Sequence, residues 1–81
     1  MTTEQIINEL QKIFRDVFDD DSITITRELN SNMIEDWDSL SHIRLIATIE
    51  KSFKLKFNFR EIQELDNVGE MIDLIENKLN A

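Results

Sequence analysis

Apolar residues recur along this chain at helical spacing in three separate stretches. Ile6, Ile7, Leu10, Ile13, Phe14, Val17 and Phe18 follow the i, i+1, i+4, i+7, i+8, i+11, i+12 rhythm that gathers side chains on one face of a helix. Thr2, with Gln5 three residues on, is placed to close a capping box at its start. A second helix is predicted from about Ser39 to Phe53. A third amphipathic stretch, Val68 to Leu79, puts Met71, Ile72, Ile75 and Leu79 on one face, with Asn67 and Glu70 able to cap it reciprocally. Phe59 to Leu65 has room only for a short helix. Proline is absent and glycine occurs once, which suits helices throughout. The expected fold is all-α: a small four-helix bundle of three longer helices and one short one, with a long loop between helices 1 and 2.

That loop, residues 19–38, is long for a bundle, where connections usually run about 2–8 residues and longer ones are often functional. Ile23-Thr24-Ile25-Thr26 alternates like a strand but has no strand to pair with, so it reads as loop. Ile23, Ile25, Leu29, Met33 and Ile34 are expected to pin the segment onto the bundle, and Trp37 to anchor its end. No repeat, low-complexity tract or Pro/Gly/Ser linker divides residues 1–81, which are expected to form one domain.

Size and composition narrow the chemistry. A chain of 81 residues buries only about 60% of the surface its unfolded form exposes, which leaves little room for an enclosed active site. With no cysteine there is no disulfide framework, thiolate zinc site or thiol nucleophile, and the lone His42 cannot build a histidine-rich metal centre. No apolar run approaches the roughly 20 residues that span a bilayer. Met1-Thr2-Thr3-Glu4 has neither the basic nor the apolar region of a signal peptide, so a cytoplasmic location is expected.

The formal charge of −8 is unevenly spread. Residues 19–38 hold seven acids against Arg27. Residues 39–60 hold Arg44, Lys51, Lys54, Lys56 and Arg60 against Glu50 alone, and residues 61–81 hold six acids against Lys78. Such a chain is repelled by phosphate backbones and anionic membranes, so nucleic acid is not an expected partner and a basic protein surface is the natural one.

The candidate chemistry gathers where the acidic loop meets the second helix. A serine at the position of Ser39 ordinarily caps a helix with its hydroxyl, and Asp38 then favours the positive end of the helix dipole. The same place suits a covalently attached phosphate, because free backbone N–H groups and the dipole favour an anion there. In the helix itself, Leu45, Ile49, His42, Phe53 and Ile46 fall in one arc. Leu40, Ile43 and Ala47 widen the apolar surface to about 200°, beyond the roughly 100° stripe of a surface helix. Two readings follow: a central helix buried on two sides, with His42 packed or half-buried, or a helix that leaves Leu40, Ile43 and Ala47 partly exposed beside Ser39 as a docking patch.

Other chemistries fail on spacing. An EF-hand needs glycine at position six and glutamate at twelve; from Asp19 these are Thr24 and Asn30, and from Asp21 they are Thr26 and Asn32. Ser39 and His42 stand i, i+3, but no G-x-S-x-G surrounds the serine and no third group is placed to orient the histidine. No catalytic or metal-ligating residue is therefore assigned.

Asp36-Trp37-Asp38-Ser39-Leu40-Ser41-His42-Ile43, followed by Leu45-Ile46-Ala47-Thr48-Ile49-Glu50-Lys51-Ser52-Phe53, resembles an acyl carrier protein. The likeness extends over nearly the whole chain: long first helix, long acidic loop, D-S-L serine, apolar second helix, short third helix, and a last helix opening with Val68-Gly69. The resemblance implies that Ser39 is esterified to 4′-phosphopantetheine donated by coenzyme A, whose thiol carries acyl groups as thioesters. It implies that Asp38 helps the phosphopantetheinyl transferase hold its magnesium ion. It implies too that Leu40, Ile43, Ala47 and Glu50 meet partners: the transferase, an acyl-loading ligase or acyltransferase, and synthase enzymes. Asp36 and Trp37, from their place just before Ser39, are expected to join that surface.

A monomeric carrier, not an enzyme, is the expectation, in a fatty-acid, polyketide or other specialised pathway. Housekeeping fatty-acid carriers usually have a leucine-glycine pair before the aspartate and several acids along the second helix. Here Asp36-Trp37 stands in the glycine region and Glu50 is the only acid of the helix. Partners that grip an acidic helix are expected to bind this one poorly, which points to a specialised carrier in natural-product or surface-polymer assembly. The alternative from another class is an unmodified helical interaction module using the broad second helix.

Overall fold

The capping box at Thr2 forms as the spacing predicts: the Thr2 hydroxyl accepts the Gln5 amide N–H at 3.1 Å and the Gln5 side chain accepts the Thr2 N–H at 2.8 Å. From it, α1 runs over Thr3–Val17 in the computed structural model, which describes residues 2–80. Then come α2 (Ser39–Phe53), α3 (Phe59–Gln63) and α4 (Val68–Leu79), with no strand among the described residues. Three longer helices and one short one make the all-α bundle that the patterning predicts.

α1 packs against both α2 and α4. Its stripe of Ile6, Leu10, Ile13 and Phe14 meets Leu45, Ile46, Ile49 and Phe53 of α2 and Val68, Met71, Ile72 and Ile75 of α4 in one cluster. Isolated helices of this length are marginal in water, so the stability comes from the shared core. Full burial of each such aliphatic side chain is worth about 1.5–3 kcal/mol relative to exposure. α3 buries nothing fully; it is held by its own Asn58–Glu61 capping box and by the Glu61–Lys78 ion pair at 2.9 Å to α4. At α4, Asn67 accepts the Glu70 N–H at 2.9 Å as expected. The return bond differs: Glu70 reaches past the cap residue to accept from the Asp66 N–H at 3.2 Å.

Residues 19–38 stay irregular yet bury Ile23, Ile25 and Leu29 while Thr24 and Thr26 face solvent. The alternation is that of a strand, but the backbone finds its partners on helices. Ile25 N–H donates to the Gln11 side chain at 3.1 Å, and the Ile23 carbonyl accepts Arg15 Nε–H at 2.8 Å. Carbonyls of Leu29 and Arg27 accept the Val68 and Gly69 N–H groups at 2.9 Å each, satisfying first-turn amides of α4 that no helix can satisfy internally. Ile34 is half-buried, but Met33 is not a pin: it is 62% exposed. The turn closed by Met33 N–H on the Asn30 carbonyl carries its side chain outward.

Gly69 is where the loop comes closest to a helix. A Cβ on it would stand 3.1 Å from the Arg27 carbonyl oxygen and 3.2 Å from that residue's Cβ and Nε. Arg27 has little room to retreat, since its carbonyl holds Gly69 N–H and its guanidinium grips both carboxylate oxygens of Asp73 at 3.2 and 2.8 Å. Gly69→Ala is therefore expected to lower the melting temperature, against the gain of about 1 kcal/mol that alanine brings to an unobstructed helix interior. A rise in melting temperature would mean that the loop yields freely at Arg27.

Candidate functional site

α2 opens where the acidic loop ends, and the residue that caps it is Asp38. Its backbone is extended (φ −113°, ψ −171°) and its carboxylate accepts the Ser41 N–H at 2.9 Å. Ser39, expected from its position to be the cap, is instead the first residue of the helix. The carboxylate one place earlier reaches the same donors and adds a favourable charge at the positive end of the dipole. Ser41 Oγ–H then donates to the Asp36 carbonyl at 2.7 Å and fixes the loop's last turn. Ser39 is left exposed, and among the described residues its side chain makes no hydrogen bond.

The Ser41 N–H bond to Asp38, with the Leu40 N–H adding to it, holds that carboxyl below the usual aspartate range. Bonds from Ser22 do the same for Asp20, the Asn58 N–H and Lys78 for Glu61, and Arg27 for Asp73. The stabilisation these four contribute is present in full above their ordinary values, near about 4, and is lost as pH falls through the lower folded-state values. Because all four groups lie at the surface, that loss is expected to lower the melting temperature only modestly below about pH 4. Asp38→Asn should keep the cap and flatten that drop, whereas Asp38→Ala should lower the melting temperature at neutral pH as well.

Trp37 anchors the loop end as expected. Its ring meets Phe14 edge-on at 5.3 Å and lies 6.0 Å from Phe18, and its indole N–H donates to His42 Nδ1 at 3.1 Å. That bond requires an unprotonated Nδ1, so the histidine is the Nε2–H tautomer here. Both side chains are half-buried, and both line a groove of about 640 Å³ with Ser39, Ile43, Phe59 and Ile62. Phe59 and Ile62 were not singled out by sequence reading; their only signal there is an i, i+3 apolar pair on the short helix. A separate groove of about 470 Å³ runs along the acidic loop past Asp20, Glu35 and Asp36 and does not include Ser39. Among the described residues no three His, Asp or Glu side chains stand together as a metal site, and no helix is long and apolar enough to cross a membrane.

Of the residues expected to meet partners, Leu40 and Ile43 are 70% and 64% exposed, and Ala47 and Asp36 are exposed too. This decides between the two readings of α2: Leu45, Ile46, Ile49 and Phe53 form its only buried stripe, and the opposite apolar residues face water. Glu50 is different. It is half-buried and accepts the Phe57 N–H at 2.8 Å, tying the α2–α3 connection to the helix. A solvent-facing hydroxyl with no structural duty, beside an open groove with apolar walls, fits a covalently attached flexible group.

The comparisons with known proteins agree with this geometry. Residues 5–75 match the family described as "Phosphopantetheine attachment site". An acyl carrier protein of Lactobacillus johnsonii is 29% identical over 80 residues, covering 99% of this chain and 100% of the relative. One of Coprothermobacter proteolyticus is 31% identical over 81 residues, covering 98% and 96%. The solution structure of a holo acyl carrier protein from Geobacter metallireducens superposes with a TM-score of 0.87 at 51% identity, over 91% of this chain and 85% of that one. With the family's attachment-site pattern, carrier relatives matched along their full length and the same helical fold, the chain belongs to the acyl carrier proteins.

Proposed function

We propose that Ser39 Oγ is the atom esterified to 4′-phosphopantetheine, and that residues 1–81 act as one domain and as a monomer. The observation that carries this reading is the division of labour at the start of α2: Asp38 caps the helix, so the neighbouring hydroxyl is exposed and chemically uncommitted. When attached, the arm supplies a terminal thiol that carries acyl groups as thioesters, a nucleophile that a chain without cysteine lacks. The chain is thus a carrier, not an enzyme, and its family works with transferase and synthase enzymes.

Each neighbour of Ser39 has a role in this reading. Asp38 stays anionic next to the hydroxyl and offers a carboxylate edge to the magnesium ion of the transferase. The first-turn amides and the dipole of α2 stabilise the phosphodiester once formed. Asp36, Leu40, Ile43 and Ala47 present the surface that partners read; Trp37 and Glu50 shape that surface from behind, one holding the loop and the other the α2–α3 turn. The pathway is a specialised one in the cytoplasm, served by a dedicated acyl-loading ligase or acyltransferase and its synthase. Support comes from α2, where Arg44 and Lys51 stand exposed and the one acid is half-buried.

The test is intact mass before and after incubation with coenzyme A, magnesium and a broad-specificity phosphopantetheinyl transferase. A gain of one phosphopantetheine, mapped to the peptide containing Ser39, is the expected result. Folded, unmodified protein that gains nothing with several transferases would overturn it.

A further inference from the structure

Leu40, Ile43, Arg44, Ala47 and Lys51 are all exposed and recur at i, i+3, i+4, i+7 and i+11, an arc of about 100° running the length of α2. Its two large apolar side chains lie toward the Ser39 end. The only charged residues in the arc are cations. Glu50, which would have offset them, is drawn aside to the Phe57 N–H. Neither Arg44 nor Lys51 has an ion-pair partner among the described residues, and exposed Lys54 and Lys56 continue the same sign past the end of the helix. Outside the helix, Asp36 and Asp38 stand before its first turn, and Glu9 of α1 accepts the Ser52 hydroxyl at 2.8 Å, a position outside this arc.

The net charge of −8 therefore misdescribes the surface a partner meets. From Asp38 to Arg44 the axis advances about 9 Å at 1.5 Å per residue, roughly the screening length at physiological salt. The negative mouth around Ser39 and the positive flank beyond it consequently act as separate patches. Resting on Ser39 as the attachment point, we propose that the α2 stripe selects partners by charge. It admits enzymes that place an apolar socket over Leu40 and Ile43 with carboxylates facing Arg44 and Lys51, and it turns away those that place lysine or arginine there. The apolar contact brings the charges beside it close together, so a like charge is repelled at short range while an opposite one fixes the register of docking, and salt screens both effects at these exposed positions. The reversal of sign along one helix also orients the partner, since sliding or inverting it brings like charges together.

The test uses two probes: a phosphopantetheinyl transferase whose carrier-binding site is lined with lysine and arginine, and the same enzyme with those residues changed to glutamate. Each modifies the natural apo chain and the Arg44→Glu/Lys51→Glu variant, with kcat/KM read from mass gain at low and high salt. A crossover is expected. The basic transferase should favour the variant by about tenfold, the reversed transferase should favour the natural chain, and both gaps should close at high salt. The same order of preference with both transferases, or gaps indifferent to salt, would overturn the proposal. No mass gain in any combination would instead remove Ser39 as the attachment point. Since both substituted positions are exposed, circular dichroism should be unchanged; an Arg44→Gln/Lys51→Gln chain, expected to fall between the other two, guards against misfolding of the reversed one.

Discussion

Ser39→Ala is expected to abolish uptake of phosphopantetheine and with it every acyl-transfer reaction in which the chain takes part, while leaving the protein folded. The size of the contrast follows from the local geometry. A serine that capped α2 would take about 1 kcal/mol of stability with it when lost. Here the cap is the Asp38 carboxylate on the Ser41 N–H, and the Ser39 hydroxyl bonds to nothing among the described residues. An exposed residue without such duties changes stability by less than about 0.5 kcal/mol when replaced. The measurement is paired: intact mass after incubation with coenzyme A, magnesium and transferase, and thermal melting of the same sample. Full modification of Ser39→Ala would place the arm on another residue. Loss of modification together with a large fall in melting temperature would mean that the hydroxyl has a structural part after all.

The largest effect on stability is expected at Phe14. Its side chain is fully buried, and it holds the end of the loop: Trp37 meets it edge-on at 5.3 Å and Phe18 lies 5.8 Å away. Truncating a buried phenylalanine to alanine costs about 3–5 kcal/mol, comparable to the whole margin of a small domain. Phe14→Ala should therefore unfold most of the protein at physiological temperature or come close to it. Because Trp37 is the only tryptophan, its fluorescence reports the anchor directly. Emission should shift to the red in Phe14→Ala even under conditions where circular dichroism shows the helices retained. Met33→Ala provides the contrast. Although Met33 belongs to the same loop, it is mostly exposed, and its loss should change stability by less than about 0.5 kcal/mol. A Phe14→Ala protein as stable as the natural one would mean that the core refills the space without cost.

An unmodified interaction module, the alternative that the sequence left open, does not survive. The family to which the chain belongs attaches phosphopantetheine, and the exposed apolar stripe that favoured an adaptor serves a carrier equally well. Binding to other proteins is part of how a carrier works, so the stripe could not separate the two readings; the family match does.

Everything that depends on local spacing was determined by the sequence itself. The period of apolar residues set the three longer helices, and the length left between them the short one, to within two residues at each end specified, because one turn of helix repeats every 3.6 residues whatever lies around it. The cap at Thr2 and the Asn67 bond to the Glu70 N–H were equally legible, since each joins groups three residues apart. So was the family, through Asp38-Ser39-Leu40 set between an acidic loop and an apolar helix.

Tertiary structure decided what depends on residues distant in the chain. A wide apolar arc on α2 is compatible with burial on two sides or on one, and only the placement of α1 and α4 leaves Leu40, Ile43 and Ala47 in water. Periodicity measures how apolar a face is, not whether anything covers it. Met33 and Ile25 look alike as loop hydrophobes, yet one lies on the outside of a turn while the other is drawn inward where its N–H meets Gln11. Two adjacent capping residues, Asp38 and Ser39, differ by one step of backbone, and the fold gives the cap to the carboxylate and frees the hydroxyl. The single acid of α2 is withdrawn to hold Phe57 N–H, so the charge of the face that partners meet differs from that of the helix and from that of the whole chain. Charge and hydrophobicity belong to the sequence; which of them reaches the surface is settled by packing.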